Sequence, residues 1–293
     1  MPTESRPRRS MLYMPGSNPR ALEKARGLAA DALIFDLEDA VAPDAKEAAR
    51  GIIAEAVAAG GYGKRELILR TNGLDTAWGH GDLAAASRMA VHGVLLPKVE
   101  SAATVRQAAA ILDKAGAPAD LAIWCMMETP MGMLHAEEIA ASHPRLAGFV
   151  MGTSDLANDL HARHTRDRLP MLTGLGLCLL AARAYGLAIL DGVYLDLNDD
   201  EGFAYSCRQG VELGFDGKTL IHPKTIAAAN EAFAPSAAEI EQARKFIAGF
   251  EAAQAEGKGV VLVDGKLVEN LHVANAKRLL ALVARIDELG AGS

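Results

Sequence analysis

Cysteine is scarce in this 293-residue chain: Cys125, Cys178 and Cys207 lie far apart and form no CxxC pair. So sparse and odd a set makes no disulfide framework and reads as the reduced thiols of a cytoplasmic protein. Aromatic residues are few, at 5%. No basic stripe or aromatic-interleaved patch stands out, so no nucleic-acid partner is expected. Charge of either sign is modest, with 30 Lys+Arg against 37 Asp+Glu for a net −7. Long hydrophobic runs are missing too. The longest, Leu172 to Leu190, is broken by Arg183 and several glycines, so no membrane span is expected. The basic, Pro-containing start from Met1 to Arg9 has no apolar stretch behind it and is not read as a secretory signal. Internal repeats and low-complexity segments are lacking as well.

What the chain does have is hydrophobic content, at 50%, enough for one large α/β barrel with an appendage or for two ordinary domains. Eight short apolar runs read as strands: Ser10–Met14, Ala32–Leu37, Glu66–Arg70, Gly93–Pro97, Leu121–Met127, Ala147–Met151, Leu187–Val193 and Gly214–Leu220. Ala-rich amphipathic stretches lie between most of them, including Pro19–Ala30, Ala45–Ala58, Ser101–Ala115 and Met133–Ser142. Strand then helix, repeated, implies a parallel sheet covered on both faces. The repeat count and span predict a TIM (β/α)8 barrel over residues 1–234. The rival, a doubly wound open sheet, lacks its Gly-rich turn after the first strand. Residues 235–293 read differently. Ser236 and Glu239 begin a helix to Ala253 as a capping box, Asp264-Gly265 joins two apolar runs as a hairpin, and a helix covers Val273–Leu289. This helix–hairpin–helix extension is too small to fold alone and is expected to cover the barrel or a neighbouring subunit.

Ionisable residues recur where each strand closes: Asp36, Glu38 and Asp39, then Arg70, Lys98, Glu128, Asp155, Asp191, and Lys218 with His222 beyond. In a TIM barrel these ends form the active-site rim, so the pattern predicts an enzyme. Glu128 and Asp155, from adjacent strands, suit Mg²⁺, a hard ion usually held by one or two carboxylates plus water and substrate. Against this stand a salt bridge of Glu128 with Arg70 or Lys98 and a helix-capping role for Asp155. The planar fork of Arg70 suits a substrate carboxylate, or else an ion pair with Asp36 or Glu38. His161-x-x-His164 lacks the further ligands of a zinc site.

Several motifs occur in order: Arg9-Ser-Met-Leu-Tyr-Met-Pro-Gly-Ser, Phe35-Asp-Leu-Glu-Asp-Ala-Val, Arg70-Thr-Asn, Leu96-Pro-Lys-Val-Glu, Met127-Glu-Thr-Pro, Gly214-Phe-Asp-Gly-Lys and Ile221-His-Pro. Together they resemble the CoA ester lyase family, which includes the citrate lyase β subunit, malyl-CoA lyase and citramalyl-CoA lyase. The resemblance spans nearly the whole chain. It implies Mg²⁺ (or Mn²⁺) on Glu128 and Asp155, Arg70 at an α-keto acid carboxylate, and CoA along the rim near Tyr13, Arg20 and Lys24. The family's hairpin usually carries an aspartate after Gly-Lys-Met-Ile, and here Gly265-Lys-Leu-Val-Glu269 places a glutamate there.

The activity so implied is a Mg²⁺-dependent carbon–carbon lyase. It would split a β-hydroxyacyl-CoA such as malyl-CoA or citramalyl-CoA into acetyl- or propionyl-CoA and glyoxylate or pyruvate. Glu269, then Asp36 or Glu38, are the candidate bases. Two alternatives share this machinery: a malyl-CoA thioesterase, and a citrate lyase β subunit acting on an acyl-carrier-protein thioester. A metal-retaining scaffold subunit is a third. A homotrimer or homohexamer is expected from the tail.

Overall fold

A computed structural model describes residues 6–290; the start of the basic N-terminal segment, residues 1–5, lies outside the described residues. Eight strands form the sheet: β1 Ser10–Pro15, β2 Ala32–Asp36, β3 Glu66–Arg70, β4 Gly93–Leu96, β5 Ala122–Met127, β6 Leu146–Met151, β7 Ala188–Asp191 and β8 Gly217–Leu220. All pair in parallel, and β1 bonds to both β2 and β8, closing the barrel. Helices alternate with the strands, so this part is a TIM (β/α)8 barrel, as the sequence predicts. Strands with both faces covered read as unbroken apolar runs, and those runs stop where the rim begins.

Helix boundaries depart further from expectation, each time for a tertiary reason. The first helix stops at Ala25 instead of Ala30. The Arg65 guanidinium donates to the carbonyls of Ala25 (2.6 Å) and Leu28 (2.7 Å), taking up acceptors the helix would otherwise use. The stretch predicted as one helix over Met133–Ser142 is two, Pro130–Leu134 and Ala136–Ala140. His135 breaks it, its Nδ1 lying 2.7 Å from the Glu100 carbonyl.

Side chains from alternate strand positions fill the barrel. Met11, Ile34, Ile68, Leu95, Trp124, Val150 and Leu190 pack inside, while Leu33, Phe35, Leu69, Ile123 and Phe149 face the helix layer. Trp124 fits because its neighbours are glycines. A Cβ on Gly148 would come within 2.4 Å of the indole, and one on Gly93 within 3.1 Å. Below it, Arg8 stacks on the indole at 4.9 Å and pairs with buried Glu66 at 2.5 and 2.9 Å. The three cysteines are buried and reduced. Burial raises all their thiols, Cys207 to about 11 and Cys178 to about 12.

Chain contacts divide the molecule into two compact units, Arg8–Phe233 and the segment from Ala234 onward. The second holds the helix Ala237–Ala255, strands β9 (Val261–Val263) and β10 (Lys266–Val268), and the helix Asn270–Gly290. The Ser236/Glu239 capping box is present. Asp264 (φ 49°) and Gly265 (φ 77°) both adopt left-handed backbone, as a two-residue hairpin turn of this hand requires. Phe250, Val268 and Val273 form this unit's own small core. Its last helix starts three residues before the predicted Val273, because the Glu269 carbonyl already accepts from the N–H groups of His272 and Val273. Among the described residues no helix is long and apolar enough to cross a membrane.

Asp191 and Lys218, expected at the rim, face outward instead. They are register partners on β7 and β8 and share parity with Ile189 and Leu220, which point to the helices. Lys218 Nζ donates to Asp191 at 2.9 Å, and Arg168 Nη1 donates to the same carboxylate at 2.5 Å. Burial works against the Asp191 carboxylate, but these two cations outweigh it and hold the group below its ordinary range. Asp191→Ala strands two buried cations and is expected to cost about 3–5 kcal/mol in urea unfolding. A depressed folded-state pKa means that this contribution is complete above the unfolded value near 4. It is lost as the pH falls from there through the lower folded value. A variant as stable as the parent would show that the cluster adds nothing.

Candidate active site

Parity also decides what reaches the barrel mouth. Asp36 continues the inward series of Ala32 and Ile34, and Arg70 that of Ile68. Asp36 and Arg70 are cross-strand partners in register, so the two meet at the C-terminal rim. Arg70 Nε and Nη2 donate to the two oxygens of Asp36 at 2.7 and 2.6 Å. Its Nη1 turns to Glu38 (2.8 Å) and to exposed Asp39 (3.4 Å). The guanidinium lies 4.9 Å over the Tyr13 ring. Burial opposes the charge on Arg70, but the Asp36 hydrogen bonds and the surrounding acids hold its pKa above the ordinary value. The forked edge expected to clamp a substrate carboxylate is therefore committed to Asp36, and Nη1 is the edge left toward the mouth.

This corner rests on a buried polar scaffold. Lys46, 7% exposed, donates to the carbonyls of Leu37 and Glu38 (2.9 Å each) and to Asn72 Oδ1 (2.6 Å). Asn72 donates in turn to Asp82 Oδ2 through its backbone N (2.9 Å) and side chain (2.7 Å). Arg50 closes the chain on Asp82 Oδ1. The sequence reading misses Lys46 and Asp82, which sit in helices far along the chain and carry no local signature.

On the other side, Glu128 follows β5 and is 2% exposed. Lys98 sits in left-handed backbone (φ 47°), and its N–H donates to Glu128 Oε1 at 2.7 Å. Burial, chiefly, lifts the Glu128 carboxyl to about 7, with nearby Asp155 adding to the rise. Asp155 lies in the first turn of the helix Thr153–Asp159, and the Lys98 ammonium stands 4.0 Å from both Asp155 and Glu38. Neither expected ion pair of Glu128 forms: it takes the backbone of Lys98, and Arg70 turns to Asp36. Nor is Asp155 the helix cap, which is Gly152.

A divalent cation suits this pair. The donors are hard oxygens, and the buried carboxylate is one a cation would return to its charged form. No group of three or more His, Cys, Asp or Glu that could hold a metal occurs among the described residues. The rest of a six-oxygen shell would thus come from water and substrate. Between the two corners lies a cavity of about 380 Å³, lined by Tyr13, Asp36, Asp39, Arg70, Met126 and Asp155 among others.

Other candidates fall elsewhere. Both Asp36 oxygens are taken by Arg70 and by the N–H groups of Glu38 and Ala40, which removes Asp36 from the bases and makes it the anchor of Arg70. Tyr13 is not at an outer nucleotide position: its hydroxyl points at Met126 sulfur, 3.7 Å away, and burial raises its pKa. Arg20 and Lys24 are exposed on the helix after β1. His222 caps its own turn, accepting from Lys224 N–H. Glu269 is exposed in the C-terminal unit, between β10 and the last helix.

A guanidinium edge and two carboxylates gathered at the C-terminal mouth are the arrangement expected of a TIM-barrel enzyme. The chain belongs to the HpcH/HpaI aldolase/citrate lyase family, whose profile matches residues 9–223. Its relatives include the (3S)-malyl-CoA thioesterase of Cereibacter sphaeroides, 53% identical over 99% of this chain and 100% of that protein. Proteins of the same name from other strains are 54–55% identical. The L-malyl-CoA/β-methylmalyl-CoA lyase of C. sphaeroides is 35% identical over 98% of this chain and 97% of its own length. Among solved structures, Mycobacterium tuberculosis CitE in complex with magnesium, acetoacetate and coenzyme A superposes with a TM-score of 0.74 at 31% identity, covering 95% of this chain and 97% of CitE. The wide margin of the thioesterases over the lyase overturns the carbon–carbon lyase expected from the sequence.

Gly152 tests the geometry. A Cβ there would come within 2.3 Å of Glu128 Cβ and 2.5 Å of its Oε2. Gly152→Ala is expected to displace that carboxylate and slow turnover roughly 100-fold, the scale of an ångström-sized misplacement, with the cooperative melt preserved. Full activity in this variant would take Glu128 out of the site.

Proposed function

We propose that this protein is a Mg²⁺-dependent thioesterase that hydrolyses (3S)-malyl-CoA, or a closely similar β-hydroxyacyl-CoA, to the free acid and CoA. The observation that carries the proposal is the 53% identity over 291 residues to a protein of that name, and the site's geometry supports it. Arg70 Nη1 receives the substrate carboxylate, displacing Asp39, which is 66% exposed on its side chain. Glu38 takes a proton from water, which adds to the thioester carbonyl. The carbon–sulfur bond then breaks, and CoA leaves as the thiol with that proton. Burial, foremost, raises the Glu38 carboxyl to about 7, a value suited to a base working near neutrality. Glu128 and Asp155 hold the cation, which when bound supplies Lewis acidity toward substrate oxygens; Mn²⁺ accepts the same oxygen donors. Arg20 and Lys24 meet the phosphates of CoA, and Glu269 is the second candidate base. The proposal also includes a cytoplasmic location and a homotrimeric or homohexameric assembly.

Incubation with Mg²⁺ and (S)-malyl-CoA, read by mass, should give malate and free CoA. Acetyl-CoA with glyoxylate would overturn the proposal. Glu128→Gln keeps an acceptor for Lys98 N–H, yet Mg²⁺ affinity by calorimetry should fall more than about 100-fold, beyond the loss typical of an outer-shell change. A base of pKa about 7 works deprotonated, so kcat/KM should rise with pH through that value. Glu38→Gln should erase this limb and lower kcat by about 10²–10⁴. If Glu269→Gln erases it instead, the base is in the tail.

A further inference from the structure

The floor of the mouth cavity is a methionine that the proposed reaction does not use. Met126 is the last inward side chain of β5, continuing the series of Ala122 and Trp124, and it lines the cavity together with Arg70 and Asp155. It is buried, at 5% exposure. Its sulfur is held from two sides: the Tyr13 hydroxyl and Arg70 Nη1 each donate to Sδ at 3.7 Å. Its backbone is fixed as well, since the Met126 carbonyl accepts from the Val99 N–H at 3.3 Å. Methionine is ordinarily an adaptable filler of apolar gaps. With two donors on its sulfur, this one is pinned.

Met126 also lies between the two anchors of the proposed substrate. Nη1, the edge of Arg70 turned to the mouth, is the atom that touches its sulfur. Glu128 stands two residues further along the chain, where strand alternation returns the side chain to the same side. A substrate held by its carboxylate at Nη1 and by its hydroxyl at the cation on Glu128 and Asp155 therefore spans Met126. In malyl-CoA both groups sit on one tetrahedral carbon. The third substituent, the methylene leading to the thioester, runs out through the open mouth, because CoA is too large for a cavity of about 380 Å³. The fourth is left facing Met126. In malyl-CoA it is a hydrogen. In citramalyl-CoA it is a methyl, for which a pinned thioether leaves no room.

We infer that Met126 is a specificity-determining residue of this site, selecting substrates with a hydrogen, not a methyl, on the carbon that carries both hydroxyl and carboxylate. The inference rests on the anchoring roles that the proposed function gives to Arg70 and Glu128, so binding is read apart from hydrolysis. The probes are L-malate and (S)-citramalate, which differ by that one methyl, titrated calorimetrically into the full-length protein with Mg²⁺. The parent should favour malate by about 10–200-fold, the worth of a methyl-sized pocket. Met126→Ala should cut that preference by about tenfold or more, chiefly by tightening citramalate. Met126→Leu, of similar volume, should keep it, and Met126→Val serves if Met126→Ala does not fold. The kcat/KM ratio of (S)-malyl-CoA over (S)-citramalyl-CoA should follow the same order. A parent indifferent to the methyl, a preference that survives both shortened variants or is lost as fully in Met126→Leu, or no binding of either acid would each overturn the inference. A malate preference that follows the variants while neither thioester is hydrolysed would support Met126 in this role and overturn the hydrolase reading alone.

Discussion

In a closed barrel of parallel strands a side chain has two destinations, and the parity of its position chooses between them. Even one-residue displacement along a strand sends a charge either to the mouth or into the helix layer. Asp36 and Arg70 are inward and in register, so an acid and a guanidinium meet above the apolar fill of Trp124 and its neighbours. Asp191 and Lys218 are equally charged, equally in register and one step out of phase, so they lock β7 to β8 behind the wall. The candidate site and the buried cluster are the same kind of pair sorted by phase.

Much of the architecture was legible because closure forces it. Strands covered on both faces must be apolar throughout, and Asp264-Gly265 and Ser236/Glu239 carry their turn and cap chemistry within four residues. What stayed hidden depends on partners distant in sequence. Arg65 ends a helix 40 residues upstream of it, and His135 breaks another against Glu100. At the candidate site, Asp36, Arg70, Glu128 and Asp155 could be named from their places after strands, but which edge of Arg70 turns toward the mouth could not, because that is a matter of cross-strand register. Lys46 and Asp82, which hold the Arg70 corner in place, look like ordinary helix residues until the fold joins them through Asn72.

Substrate chemistry was less legible than substrate binding. A lyase and a thioesterase acting on the same β-hydroxyacyl-CoA need the same carboxylate contact and the same cation oxygens. They part only in whether the atom attacked is the hydroxyl proton or the thioester carbon. The motifs that point to the family encode the shared part. Similarity over the entire chain, not any one motif, is what favours the thioesterase reading.

The burial of Cys125, Cys178 and Cys207, with thiols pushed well above their ordinary range, acquires a meaning beside the proposed product. Each turnover would release CoA, itself a thiol, next to the protein that made it. Thiol–disulfide exchange needs an accessible thiolate on the attacking partner, and this fold presents none. Should that released CoA be oxidised to its disulfide, the enzyme would offer it no accessible thiolate with which to exchange.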